Sequence, residues 1–174
     1  MSNDTIAGSG LEKMFYGQIL SILVIIPLVG WIAAIVGIVL FLVGLHEAAG
    51  ADEGYRTAFY VEIGILVLSV LAVFIGVLNI VTSILSLVVI YLVCTTTAGL
   101  LEVKGDLGTA ARGRFAWKFY GGCTALVVVC SILSLIPLVN ILAMVVIVPA
   151  SIASVVGGIL LLVFLSRACK SLRY

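Results

Sequence analysis

Polar and apolar positions along this chain separate into blocks. Residues 14–45, 63–101 and 119–166 contain no Asp, Glu, Lys or Arg. Two polar connections, 47–57 and 102–114, divide them, and a short basic tail, 167–174, follows. A helix rises about 1.5 Å per residue and a bilayer's hydrocarbon core is about 30 Å thick, so roughly 20 residues cross it once. The second and third blocks are about twice that length and must cross twice. The first block, 32 residues, fits either one long tilted helix or two short ones.

A repeat favours two. Ser21-Ile-Leu-Val-Ile-Ile-Pro-Leu-Val29 returns as Ser131-Ile-Leu-Ser-Leu-Ile-Pro-Leu-Val139, with a weaker echo from Ser83 to Leu87. Proline removes a backbone donor and disfavours helical geometry in the residue before it, so Pro27 and Pro137 are natural break points. Gly30 and Asn140, which tolerate a left-handed backbone, would supply the turns. Gly76 and Asn79 would form the middle tip. The predicted fold is an all-α integral membrane protein of three helical hairpins, about 10–46, 58–101 and 115–166, in a single transmembrane domain. That gives about six membrane helices with a short first pair near 10–26 and 31–46; four or five helices is the alternative.

Composition agrees with this class. The chain is 64% hydrophobic and 10% charged, against about 25% charged in a soluble domain. A net charge of +1 gives no basic field for nucleic acid. The first 13 residues lack the basic start and cleavage site of a signal peptide, so the first apolar run is expected to be retained. Cys94, Cys123, Cys130 and Cys169 show no CxxC spacing and read as small, weakly polar helix residues.

If each block folds back, both connections and both termini emerge on one side. All nine Lys and Arg residues then share one face, which the positive-inside rule assigns to the cytoplasm, with the inner (plasma) membrane as the location. Trp117, Tyr120 and Tyr55 would mark that interface and Trp31 the opposite one.

Helices in lipid associate where small residues let backbones approach. Ala150, Ser154 and Gly158 form one stripe, Ala153 with Gly157 the adjacent one, and Ala33 with Gly37 repeats the spacing. These faces serve either packing within the chain or a homo-oligomer. Polar groups inside the spans are few. Gln18 and the run Thr95, Thr96 and Thr97 are the candidates for a polar path, although threonines readily bond to their own helix carbonyls. Glu62, a turn inside the third helix, either snorkels or pairs with Arg56, Lys118 or Arg114. A lone histidine, His46, without ligand partners argues against a metal site. No catalytic motif is present, so no catalytic, cofactor-binding or metal residue is assigned, and no cofactor is expected.

Ile26 to Gly30, Gly37 to Ala48 and Asp52-Glu-Gly-Tyr-Arg-Thr-Ala-Phe59 together resemble small uncharacterised multi-pass membrane proteins of bacteria and archaea. The likeness covers the first third of the chain best and implies a fold type without an activity. The expected function is therefore a non-enzymatic structural or self-associating membrane protein whose partners are the bilayer and further copies of itself. The alternatives are a small oligomeric channel or transporter, or a subunit held by an unidentified membrane partner.

Overall fold

The computed structural model describes residues 3–23, 29–133 and 140–173. Among them the chain is helical, with no strand, in six helices: α1 (Asn3–Ile22), α2 (Val29–Ala48), α3 (Glu53–Ala72), α4 (Leu78–Val103), α5 (Leu107–Leu133) and α6 (Asn140–Arg173). Five of them contain stretches long and apolar enough to cross a membrane: Gly30–Ala48, Glu53–Ala72, Leu78–Val103, Leu107–Leu133 and Val145–Arg173. The charged first half of α1 keeps that helix out of the set. Pro27 and Pro137, and with them most of both copies of the repeat, lie outside the described residues.

Several boundaries differ from the sequence expectation. α1 begins at Asn3, well before residue 10, because Ala7, Leu11 and Met14 continue a helical stripe through the polar start and are fully buried. α5 begins at Leu107, not near 115. Ala110, Gly113 and Ala116 carry its buried face back into what reads as a polar connection. The basic tail is the last turns of α6, where Ala168 and Leu172 are buried. The connections on that side shrink to 49–52 and 104–106.

The expected left-handed tips are also corrected. Gly30 lies in the first turn of α2, Asn79 in that of α4, and Asn140 opens α6. Gly76 sits in a corner where Leu78 and Asn79 donate to the carbonyls of Ile75 and Gly76, three residues back. Consecutive turns of that kind keep right-handed backbone and need no glycine. Among the described residues the positive-φ glycine is Gly105, at φ 89°, between α4 and α5.

Each helix packs against the next, α6 returns onto α1, and α4 touches α6 across the middle. The neighbours run antiparallel. A Cβ on Gly10 would meet Gly44 O at 2.5 Å, and one on Gly17 would meet Gly37 O at 2.6 Å, so α1 and α2 touch almost backbone to backbone. Gly113 lies under the Phe164 ring and Gly157 against Tyr120, which sets α5 against α6. The Tyr55 hydroxyl reaches Thr97 Oγ1 at 2.7 Å between α3 and α4.

This antiparallel order gathers the charges at one end of the bundle. Arg114 pairs with Glu102 at 2.7 Å, Arg173 with Glu12 at 2.5 Å, and Lys13 with Glu47. Lys104 Nζ donates to Ser171 O at 2.5 Å. The largest buried side chains, among them Tyr55, Phe164, Leu11, Met14, Leu45, Leu101, Leu165 and Leu172, lie in the half next to these charges. Toward the other end large apolar side chains point outward: Trp31 is 78% exposed and Phe74 83%.

Candidate functional site

The exception to the charge segregation is Glu62. It is the tenth residue of α3, which places it about 14 Å along the helix. Among the described residues it makes no ion pair. Of its expected partners, Arg114 is taken by Glu102. A carboxyl at such depth without a charge partner is costly in an apolar medium and commonly marks a functional position.

Glu62 lines a cavity of about 230 Å³ among α1, α2, α3, α4 and α5. The other polar members of its wall are Gln18 and Ser21 from α1, Ser86 from α4 and Tyr120 from α5. Ile38 and Phe41 of α2 and Val89 and Ile90 of α4 form its apolar side. The close glycine contact between α1 and α2 shapes this wall: with Gly17 and Gly37 nearly touching, the next turn of α1 places the half-buried Gln18 and the exposed Ser21 along it.

Toward the charged end the cavity narrows to a gap of about 10 Å³ lined by Met14, Val93, Cys94, Leu161 and Leu165. These residues belong to the buried core or pack against it. Gln18, Phe41, Val89 and Ile90 line both spaces, so the two form one cup with an apolar floor. Ser21 and Ile38, the exposed members of the wall, mark its open side, the mouth, and Ser86 lies next to it, half-buried.

The residues singled out by sequence divide. Gln18 lies in the cup. The threonines do not line it: Thr95 Oγ1 donates to Tyr91 O at 2.6 Å and Thr97 Oγ1 to Val93 O at 2.6 Å, while Thr96 Oγ1 lies 2.0 Å from where Gly54 would carry a Cβ. Because the Thr97 proton is spent on Val93, Tyr55 is the donor in the Tyr55–Thr97 bond. Thr96 and Thr97 thus belong to the α3–α4 seam. Of the small residues, Ala33 and Ala150 are buried, Gly37 and Gly157 meet α1 and α5, and a Cβ on Gly158 would meet nothing within 4 Å. Ala153 and Ser154 are half-buried, with Ser154 Oγ donating to Ala150 O at 2.9 Å.

Sequence reasoning had Glu62 snorkel or pair with a cation and named neither Ser21 nor Ser86 as a site residue. Those hydroxyls come together with Glu62 only through three separate helices, although a lone acid nine residues into an apolar helix was a visible signal. His46 sits beside Phe59, ring centres 5.0 Å apart, outside the cup. Among the described residues no group of three His, Cys, Asp or Glu gathers at metal-binding distance, and the four cysteines are free thiols.

Fold and cup together define the class: a bundle of six described helices, five with stretches apolar enough to span a membrane, around an internal carboxyl. No family model, curated protein or solved structure matches the chain.

Proposed function

We propose that the chain is a non-enzymatic multi-pass membrane protein inserted as three helical hairpins, with its termini and the 49–52 and 104–106 connections on the cytoplasmic side. The observation that carries this reading is the fit of α1 to α2. α1 is too polar to cross alone, yet its glycines dock it along an apolar helix while its charged half remains at the charged end, where Glu12 and Lys13 find partners. The nine cations then share one face, as the positive-inside rule requires.

The bilayer is the first partner in this reading. A second copy of the chain is the next, with the outer face of α6 at Gly158 offering close approach. Cysteine-accessibility labelling in intact cells tests the topology, on a chain with the native cysteines replaced. Residues substituted at Glu53 and Gly108 label only from the cytoplasm and one at Leu78 only from outside; labelling of 53 and 108 from opposite sides ends the hairpin arrangement.

A second reading, a small transporter or channel, is favoured by one specific observation, the cup containing Glu62 and Gln18. Membrane carboxyls facing a cavity are the usual mark of a solute path.

A further inference from the structure

The wall of the cup is rich in hydrogen-bond acceptors. Ser21 Oγ donates to Gly17 O at 3.0 Å, and Ser86 Oγ donates to Thr82 O at 2.9 Å. Each hydroxyl has therefore spent its proton inside its own helix and has only lone pairs left for the interior. A carboxylate at Glu62 also only accepts and the Gln18 carbonyl adds another acceptor, so that the donors on this wall are the Gln18 amide N–H groups and the Tyr120 hydroxyl. With a carboxylate and more acceptors than donors on its wall, the site disfavours anions and is complementary to a group that is both cationic and a multiple donor.

The size and the remaining wall narrow the choice. A cavity of 230 Å³ falls a little below drug-sized pockets of about 300–1,000 Å³. A bare divalent cation asks for about six or more oxygens in a tight shell, whereas here one carboxyl, one amide and three hydroxyls, that of Tyr120 among them, share the wall with Phe41, Val89 and Ile90. That mixture suits an ammonium group carried on a short hydrocarbon.

We propose that the cup binds a small protonated primary amine, its ammonium on the Glu62 carboxylate and the oxygens of Ser21, Ser86 and Gln18, its hydrocarbon against Phe41, Val89 and Ile90. The ammonium supplies the counter-charge that Glu62 lacks among the described residues. The apolar floor of Met14, Val93 and Leu165 stops the ligand short of the charged end, so it enters through the mouth at Ser21 and Ser86. This rests on the membrane reading above, but it concerns occupancy of the cup, whether or not the chain moves its ligand across.

The test uses the full-length chain in nanodiscs of phosphatidylcholine, which has no primary amine to compete, and 2-phenylethylamine as the probe, by equilibrium dialysis. Saturable binding of one amine per chain is expected. 2-Phenylethanol, similar in shape and uncharged, binds at least about tenfold more weakly. Glu62→Gln keeps the size of the side chain and removes its charge, and lowers affinity by at least about tenfold. Ser86→Leu fills the cup with the carboxyl in place and also weakens binding, so the result does not hang on one variant's folding, which gel filtration checks. Absence of saturable binding, equal binding of 2-phenylethanol, or unchanged affinity in both variants overturns the proposal. Labelling reads topology and dialysis reads occupancy, so failure here is separable from failure of the hairpin arrangement.

Discussion

Gly17 and Gly37 show how a single hydrogen in place of a methyl decides the position of a helix. A Cβ on Gly17 would lie 2.6 Å from Gly37 O and 2.8 Å from Phe41 N, both backbone atoms that no rotamer change can move. A Cβ on Gly122 meets nothing within 4 Å. Both glycines are helical, so the same substitution separates packing from propensity. Gly17→Ala is expected to destabilise the fold by about 1–3 kcal/mol through overpacking, whereas Gly122→Ala is neutral or gains up to about 1 kcal/mol of helix propensity. Reversible unfolding in detergent micelles measures both. Equal effects would show that the α1–α2 contact gives way freely and does not hold the cup's polar wall in place.

At the scale of elements, the corner between α4 and α5 does more than reverse the chain. Asp106 N donates to Leu101 O at 2.9 Å and Gly105 N to Glu102 O at 3.0 Å, the paired bonds that close a helix through a left-handed residue. The next residue starts the following helix: Asp106 Oδ1 accepts from Thr109 N at 3.0 Å, and Oδ2 accepts from the Ser171 hydroxyl of α6 at 2.8 Å. Asp106 thus ties three helices at the charged end, α4 through its backbone amide and α5 and α6 through its carboxylate. These bonds, the Thr109 amide first, hold the Asp106 carboxyl below the usual aspartate range. A group whose folded pKa is depressed stabilises the fold above its unfolded value, about 3.9, and loses that contribution as pH falls through the folded value. The thermal midpoint should therefore fall with pH below about 4. Asp106→Asn, still a good N-cap but without a titrating charge, should show a shallower fall; an identical acid limb would remove Asp106 from the account. The elements themselves were largely legible, because block length against bilayer thickness needs no tertiary information. Where the blocks end was less so. Glu12 and Lys13 mask the stripe of Ala7, Leu11 and Met14, and the shared seven-residue spacing of Gly10 with Gly17 and of Gly37 with Gly44 gains meaning only once the two helices are known to be antiparallel. The cup was not legible as a site, since its polar wall comes from four helices and no local spacing joins them.

For the whole molecule, the uneven distribution of packing bears on both mechanism and stability. The core cluster runs from Ala7 and Leu11 through Tyr55, Val93 and Leu101 to Leu165 and Leu172, all toward the charged end. The opposite half exposes apolar side chains and contains the mouth of the cup. A bundle closed at one end and open at the other can present a site to one side while sealing it from the other, which is the geometry an amine entering past Ser21 and Ser86 requires. The closed end depends on α6 returning to α1: a Cβ on Gly8 would meet Arg173 N at 3.1 Å, and Glu12 pairs with Arg173. The start of α1 and the end of α6 are therefore neighbours, and among the seams around the ring the least intimate lies between α2 and α3, joined by the exposed turn at Gly50. If closure of the ring, and not the order of the chain, holds the molecule together, a circular permutant should survive. Joining the termini with a short Gly/Ser linker and opening the chain between Gly50 and Ala51 cuts an exposed turn and disturbs little more than the half-buried Ala51 and its backbone bond to Ala48 O. The permutant should elute in gel filtration as the native chain does, with its thermal midpoint within a few degrees and its amine occupancy unchanged. Aggregation, with native behaviour in a permutant opened instead at the 73–77 corner, would mean that the α2–α3 connection contributes what the α1–α6 contact is credited with here.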